Sequence, residues 1–170
     1  MLSEKLMSAI NDQINYELFS GNVYLAMQAY FASNDLNGLA NFFKVQIQEE
    51  NLHAMKFFNY LNQMDGRVTI NSLPSPKNNF ESVLHAFKEG LAHEKTVTNK
   101  IYTLMDIATD EREHATISLL KWFIDEQVEE ENSFTNIVKR LERMGDDSAA
   151  LYMLDTELAA RVFTPPTANA

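Results

Sequence analysis

Four long stretches of this chain repeat apolar residues with the helical period, and each stripe is broken near its middle by a carboxylate: Glu17, Glu50, Glu94 and Glu130. Desolvating an acidic side chain inside a helix bundle is costly. Four of them on facing stripes at one depth repel one another unless a multivalent cation lies between them. The stripes therefore predict long helices packed together, and their interruptions predict a metal site at mid-height.

With five Gly and four Pro concentrated between the periodic segments, the chain reads as a few long helices and little else. The first helix is expected from about Ser3 to Ala32, with Leu6, Ile10, Ile14, Glu17, Tyr24 and Gln28 on one face, ending in Ser33 to Gly38. The second is expected from about Leu39 to Met64, through Phe43, Ile47, Glu50, Phe57 and Leu61, with Asp65-Gly66 as its stop. Between Arg67 and Asn79 the run Ser72-Leu73-Pro74-Ser75-Pro76 forbids a helix interior. At roughly 14 residues this stretch is longer than an ordinary helix–helix turn and predicts an end-to-end crossover.

A third helix follows from about Phe80 to Ala108, carrying Leu84, Phe87, Leu91, Glu94, Ile101 and Met105. Asp110, with Glu113 three positions on, suggests a capping-box restart of a fourth helix running to Met144, where Gly145 ends it. Asp146-Asp147-Ser148 caps a short fifth helix expected to reach Val162, closed by Pro165-Pro166. The fold class is all-α: one domain over residues 1–170, a four-helix bundle at about 3–145 with a long crossover between its second and third helices, and a fifth helix at about 147–162. Its long helices would measure about 40 to 50 Å.

Composition narrows the function classes. A hydrophobic fraction of 45% over 170 residues is enough for one real core. The net charge of -10 leaves no basic face for a nucleic-acid backbone and suits the handling of cations. Without cysteine there are no disulfides, zinc ribbons, iron–sulfur clusters or rubredoxin-type iron sites. The start, Met1 to Leu6, lacks a secretory signal, and no apolar run has membrane-spanning length, so a cytoplasmic protein without a membrane partner is expected.

Because the four glutamates and Gln127 lie within about three residues of their helix midpoints, they share one level whichever way each helix points. Glu50 and His53 stand at i and i+3, where a carboxylate and an imidazole reach the same ion. Hard carboxylates with one imidazole suit iron or manganese better than copper or structural zinc. A lone Glu-x-x-His is common on ordinary helices; the coincidence of four mid-helix carboxylates is what gives this one meaning. Tyr24, two turns beyond Glu17, has two readings: a hydroxyl directed at a site carboxylate, or a plain core tyrosine. Glu49, Glu126 and Glu129, beside Glu130, read either as a second acidic pocket or as a solvated face. His85, His93 and His114 lack matched partners and are assigned surface or structural places, and Trp122 is given no role.

The run from Glu17 and Tyr24 through Glu49-Glu50-Asn51-Leu52-His53 and Glu94 to Glu126-Gln127-Val128-Glu129-Glu130 resembles the ferritin family over nearly the whole chain, and within it the bacterial non-haem type. A second Glu-x-x-His is replaced by Gln127-Val128-Glu129-Glu130, which sets the chain apart from the haem-binding and rubrerythrin branches. The resemblance implies a di-iron ferroxidase centre, with one iron held by Glu17, Glu50 and His53 and the other by Glu50, Glu94 and Glu130, Gln127 nearby and Glu50 bridging. It also implies a third iron site at Glu49, Glu126, Glu129 and Glu130. The expected activity is oxidation of Fe(II) by dioxygen or hydrogen peroxide and storage of the ferric mineral in a homo-oligomeric shell of twenty-four chains, the fifth helix at its four-fold axes. The alternatives are a di-iron peroxide-detoxifying protein and a non-catalytic storage subunit. Where animal members line three-fold pores with acidic residues, the fourth helix here carries Ile117 and Leu120.

Overall fold

A computed structural model describes residues 2–165 of the chain, and Pro166, expected to help close the last helix, lies outside them. Five helices account for the regular structure of the described residues: α1 (Glu4–Ser33), α2 (Asn37–Gln63), α3 (Val83–Asp110), α4 (His114–Met144) and α5 (Ser148–Leu158). Four of them begin on side-chain caps, Ser3 accepting from the Leu6 amide, Ser82 from His85, Glu113 from Ala115, and Asp147 from Ala149 and Ala150. The cap of α2 comes from elsewhere: Asp155 on α5 accepts from the Leu39 amide at 2.8 Å, placing a carboxylate on a helix N-terminus.

α1, α2 and α3 end alike. Asp35, Asp65 and Arg112 each adopt positive φ one residue past the helix cap. Each gives its amide to the carbonyl three back, while the next amide reaches the carbonyl five back, as Leu36 does to Phe31, Gly66 to Leu61 and Glu113 to Ala108. The Asp65-Gly66 stop of α2 falls where expected: Asp65 takes the left-handed conformation, and the missing side chain of Gly66 admits Leu61, since a Cβ there would stand 2.4 Å from Leu61 Cδ1. One expectation about these helix ends is corrected. Asp110 is the last residue of α3 and caps nothing; Glu113 is the N-cap of α4, accepting from the Ala115 amide at 3.2 Å.

α1 packs on α2 and on α3, and α3 on α4, whereas no Cα of α2 approaches α4 within 8 Å. Long side chains bridge that wider seam, as in the Phe57–Phe123 stack with centroids 4.0 Å apart. One apolar cluster gathers Phe31, Leu39, Phe87 and Leu141, and another gathers Leu6, Leu61, Leu104 and Leu120. The chain thus passes up α1, down α2, down α3 and up α4, and the segment between α2 and α3 returns from one end to the other as expected. Asn11 and Asn15 on α1 hold this crossover, bonding both carbonyls and amides at Arg67, Thr69 and Asn71. Helix α3 starts at Val83 rather than Phe80, because Phe80 turns into the core against Tyr30.

Helix α5 stops at Leu158, short of the expected Val162. The side-chain amide of Asn41 bonds the Leu158 and Arg161 carbonyls at 3.0 and 2.9 Å, drawing the chain out of the helix and along α2. Gly38 makes this contact possible, since a Cβ there would fall 1.6 Å from the Asp155 carbonyl oxygen.

Candidate metal centre

Between the two apolar clusters lies a layer of buried polar side chains: Glu17 and Gln13 from α1, Gln46, Glu50 and His53 from α2, Glu94 from α3, and Gln127 and Glu130 from α4. All four mid-stripe glutamates are at most 4% exposed. Helical period fixes their direction: each occupies a core position of its stripe, so its carboxylate points into the bundle.

Hydrogen bonding within the layer is incomplete, and the gaps converge. Glu17 Oε1 accepts from the Gln13 amide at 2.7 Å, but Glu17 Oε2, Glu50 Oε2 and His53 Nε2 are buried with no partner. Glu17, Glu50 and His53 present ligand atoms within 4.8 Å of one another, and so do His53, Glu126 and Glu130. His53 thus belongs to two adjoining groups. Its Nδ1 is 3.8 Å from Glu50 Oε2 and its Nε2 is 3.9 Å from Glu126 Oε1, ion-pair separations rather than hydrogen bonds. Buried polar atoms in native proteins are almost always satisfied, so a cluster of orphans signals a ligand.

The remaining carboxylates are held from the side. Glu94 accepts from the Tyr24 hydroxyl and from the Gln127 amide at 3.0 Å, and Glu130 accepts from the Gln46 amide at 2.8 Å. Tyr24 is fully buried and directed at a site carboxylate. Burial, with the charge of Glu94 and Glu50, raises its phenol well above the ordinary range, so the hydroxyl remains a donor.

Burial also dominates the acids. It raises Glu50 well above the usual carboxylate range, with Glu94 adding repulsion, and it pushes Glu94 to about 7 and Glu130 to about 8. Burial of the His53 ring opposes its charge, but Glu126 and Glu50 outweigh this, and its pKa is raised well above that of a free imidazole. Without metal the layer retains protons that a divalent ion would displace.

The outer acidic residues form a pocket on the wide α2–α4 seam. Glu49, Glu126, Glu129 and Glu130 line a cavity of about 220 Å³ together with Ser133 and Arg161. Glu129 is exposed, whereas Glu49 and Glu126 are partly buried. His93 is partly buried, bonded to Ser20 at 2.7 Å and stacked on Tyr16, while His114 is exposed.

Sequence reasoning missed four residues here. Gln13 and Gln46 stand four positions before Glu17 and Glu50 on the same stripes, so a polar residue in a core position was the available signal. Trp122 sets its ring edge-on to His53 at 5.6 Å, with Lys56 3.7 Å above its face. Arg161 reaches the pocket from beyond a helix end, and no local pattern announces that.

A ferritin-like domain profile matches residues 7–144. The bacterial non-heme ferritins of Staphylococcus haemolyticus (strain JCSC1435) and Staphylococcus aureus (strain USA300) are each 45% identical over 163 residues, covering 96% of this chain and 98% of the relative. Among solved structures, an Archaeoglobus fulgidus ferritin engineered to a closed form superposes with a TM-score of 0.95 at 43% identity, over 96% of this chain and all of the other. The open-pore ferritin of the same archaeon gives a TM-score of 0.94 at 42% identity, over 95% of this chain and all of the other.

Proposed function

This chain belongs to the ferritin family, and from that premise we propose that it stores iron by oxidising Fe(II) at the buried glutamate–histidine layer and sequestering the ferric product as a mineral inside an oligomeric shell. The observation that carries the reading is the convergence of Glu17 Oε2, Glu50 Oε2 and His53 Nε2, three buried ligand atoms without partners. Glu17, Glu50 and His53 hold one ferrous ion. By the family resemblance Glu50, Glu94 and Glu130 would face a second, with Glu50 shared between the two and the Gln127 amide 3.0 Å from Glu94.

Two ferrous ions side by side supply two electrons at once. Together with two protons they reduce one dioxygen to hydrogen peroxide and leave two ferric ions, and hydrogen peroxide serves as oxidant in the same manner. Anionic oxygen ligands favour the product, because the harder, more highly charged ferric ion gains more from them than ferrous iron does. Tyr24, Gln127, Gln46 and Gln13 keep the carboxylates in place, each through a hydrogen bond to an oxygen that would otherwise rotate. Glu49, Glu126 and Glu129 offer a third cation position on the way out of the layer.

Assembly into a shell of twenty-four chains fits the apolar side chains left on the outside, among them Leu25, Val128, Tyr152 and Met153. Tyr152 and Met153 lie on α5, the element that such a shell would set at its four-fold axes. In the cytoplasm such a shell would keep iron out of solution.

Anaerobic titration of metal-free protein with Fe(II), followed by calorimetry, tests the site directly. Two ions per chain are expected for the parent, and Glu50→Ala should lose both tight sites, since Glu50 serves each. Equal stoichiometry in the two proteins would place the iron elsewhere.

A further inference from the structure

The acidic pocket already contains a cation, and it is part of the chain. Past the end of α5 the backbone runs along α2, pinned by Asn41, and there Arg161 extends its side chain inward. Its Nη2 spans both oxygens of Glu49 at 2.9 and 3.2 Å, and its Nη1 meets Gln46 Oε1 at 2.5 Å and the Phe42 carbonyl at 3.4 Å. The guanidinium also lies 4.4 Å over the Phe42 ring. Gln46 passes the connection on, because its amide donates to Glu130 in the buried layer. One tethered group therefore contacts the outer acid directly and an inner acid through a single amide.

This is not an ordinary surface ion pair. Both side chains are largely shielded, Arg161 at 24% and Glu49 at 20% exposure, and the guanidinium is fixed by acceptors on three residues and an aromatic face. Nevertheless it lines the same cavity as Glu126, Glu129 and Glu130. A metal ion entering that cavity meets a Glu49 carboxylate already in use.

We propose that Arg161 is a resident counter-ion of the pocket, and that a di- or trivalent metal ion must displace it from Glu49 to bind there. The inference rests on the reading of the inner layer as the site of oxidation. It makes Arg161 a residue that determines specificity for the outer ion: it weakens retention beside the oxidation site, so ferric product passes onward instead of remaining.

Anaerobic Zn(II) titration of the assembled full-length protein tests this, because zinc follows the binding without the redox step. The parent should take two tight ions and a weaker third. Arg161→Gln should leave the first two unchanged and tighten the third by about three- to tenfold, the range expected when a partly screened charge is removed. Arg161→Lys, which retains the charge, should stay near the parent. Third-ion affinities within twofold of one another in the parent and Arg161→Gln, with the first two ions intact, would overturn this inference alone. A parent that binds no tight zinc would overturn the reading of the inner layer, and this inference with it. Equal tightening in Arg161→Lys and Arg161→Gln would show that loosening of the tail, not charge, is responsible, and would also overturn it.

Discussion

Glu94 and Glu130 retain their protons to about pH 7 and about 8 in the folded metal-free chain, against an ordinary value of 4.5. Over that interval the unfolded chain has released protons that the folded chain keeps, so folding stability falls as pH rises. His53 acts in the same sense: held protonated above its ordinary 6.5, it contributes stability at lower pH that is lost as pH climbs through its raised value. Scanning calorimetry of the metal-free protein should show a melting temperature that declines from pH 5 to pH 8. Glu130→Gln should flatten the decline, and Zn(II) should oppose it. A melting temperature that rises over this range in metal-free protein would mean that the buried acids are already neutralised by another group. At this scale the sequence was informative about identity and poor about partners. Glu17, Glu50, His53 and Glu94 stood out because a charge in an apolar stripe conflicts with its surroundings. Tyr24 was ambiguous because a buried phenol looks the same in sequence whether or not it reaches a carboxylate. Arg161 was invisible because its position depends on a chain path set by Asn41 and Gly38 rather than by its neighbours in sequence.

Two helical glycines separate packing from propensity. A Cβ at Gly90 on α3 would come within 2.4 Å of the Phe134 ring on α4, in the middle of an aromatic cluster that includes Phe43 and Phe87. At Gly21 on α1 the nearest atom would be Glu50 Cβ at 3.8 Å, an ordinary contact. Gly90→Ala should therefore destabilise by about 1–3 kcal/mol through overpacking, whereas Gly21→Ala should be neutral or stabilise by up to about 1 kcal/mol through helix propensity. Chemical denaturation of both variants decides it, and equal effects would contradict the packing described. Helices were the most legible elements, since period and length together leave few alternatives over thirty residues. Their ends were less so. Three helices end on a left-handed Asp or Arg whose conformation is stabilised by two backbone hydrogen bonds, and the capping-box spacing pointed to Asp110 as the cap of α4 where Glu113 serves. The premature end of α5 is a tertiary effect, the side chain of Asn41 outbidding the last helical turn.

At the scale of the whole molecule, one polar layer divides the core into two apolar halves, and each half belongs to all four long helices. Such a layer costs stability in a bundle that could have been apolar throughout, so its presence is an argument for function. The wide α2–α4 seam adds direction. It sets the outer acidic pocket against the layer, and His53, Glu126 and Glu130 present ligand atoms within 4.8 Å of one another where the two meet. The central claim is that this layer oxidises ferrous iron, and stopped-flow absorbance tests it most directly. About two Fe(II) per chain are mixed with metal-free protein in aerated buffer, beside Glu50→Ala. The account predicts a fast transient in the parent that disappears in the variant. Oxidation in the parent no faster than in buffer alone, or undiminished in Glu50→Ala, would contradict it.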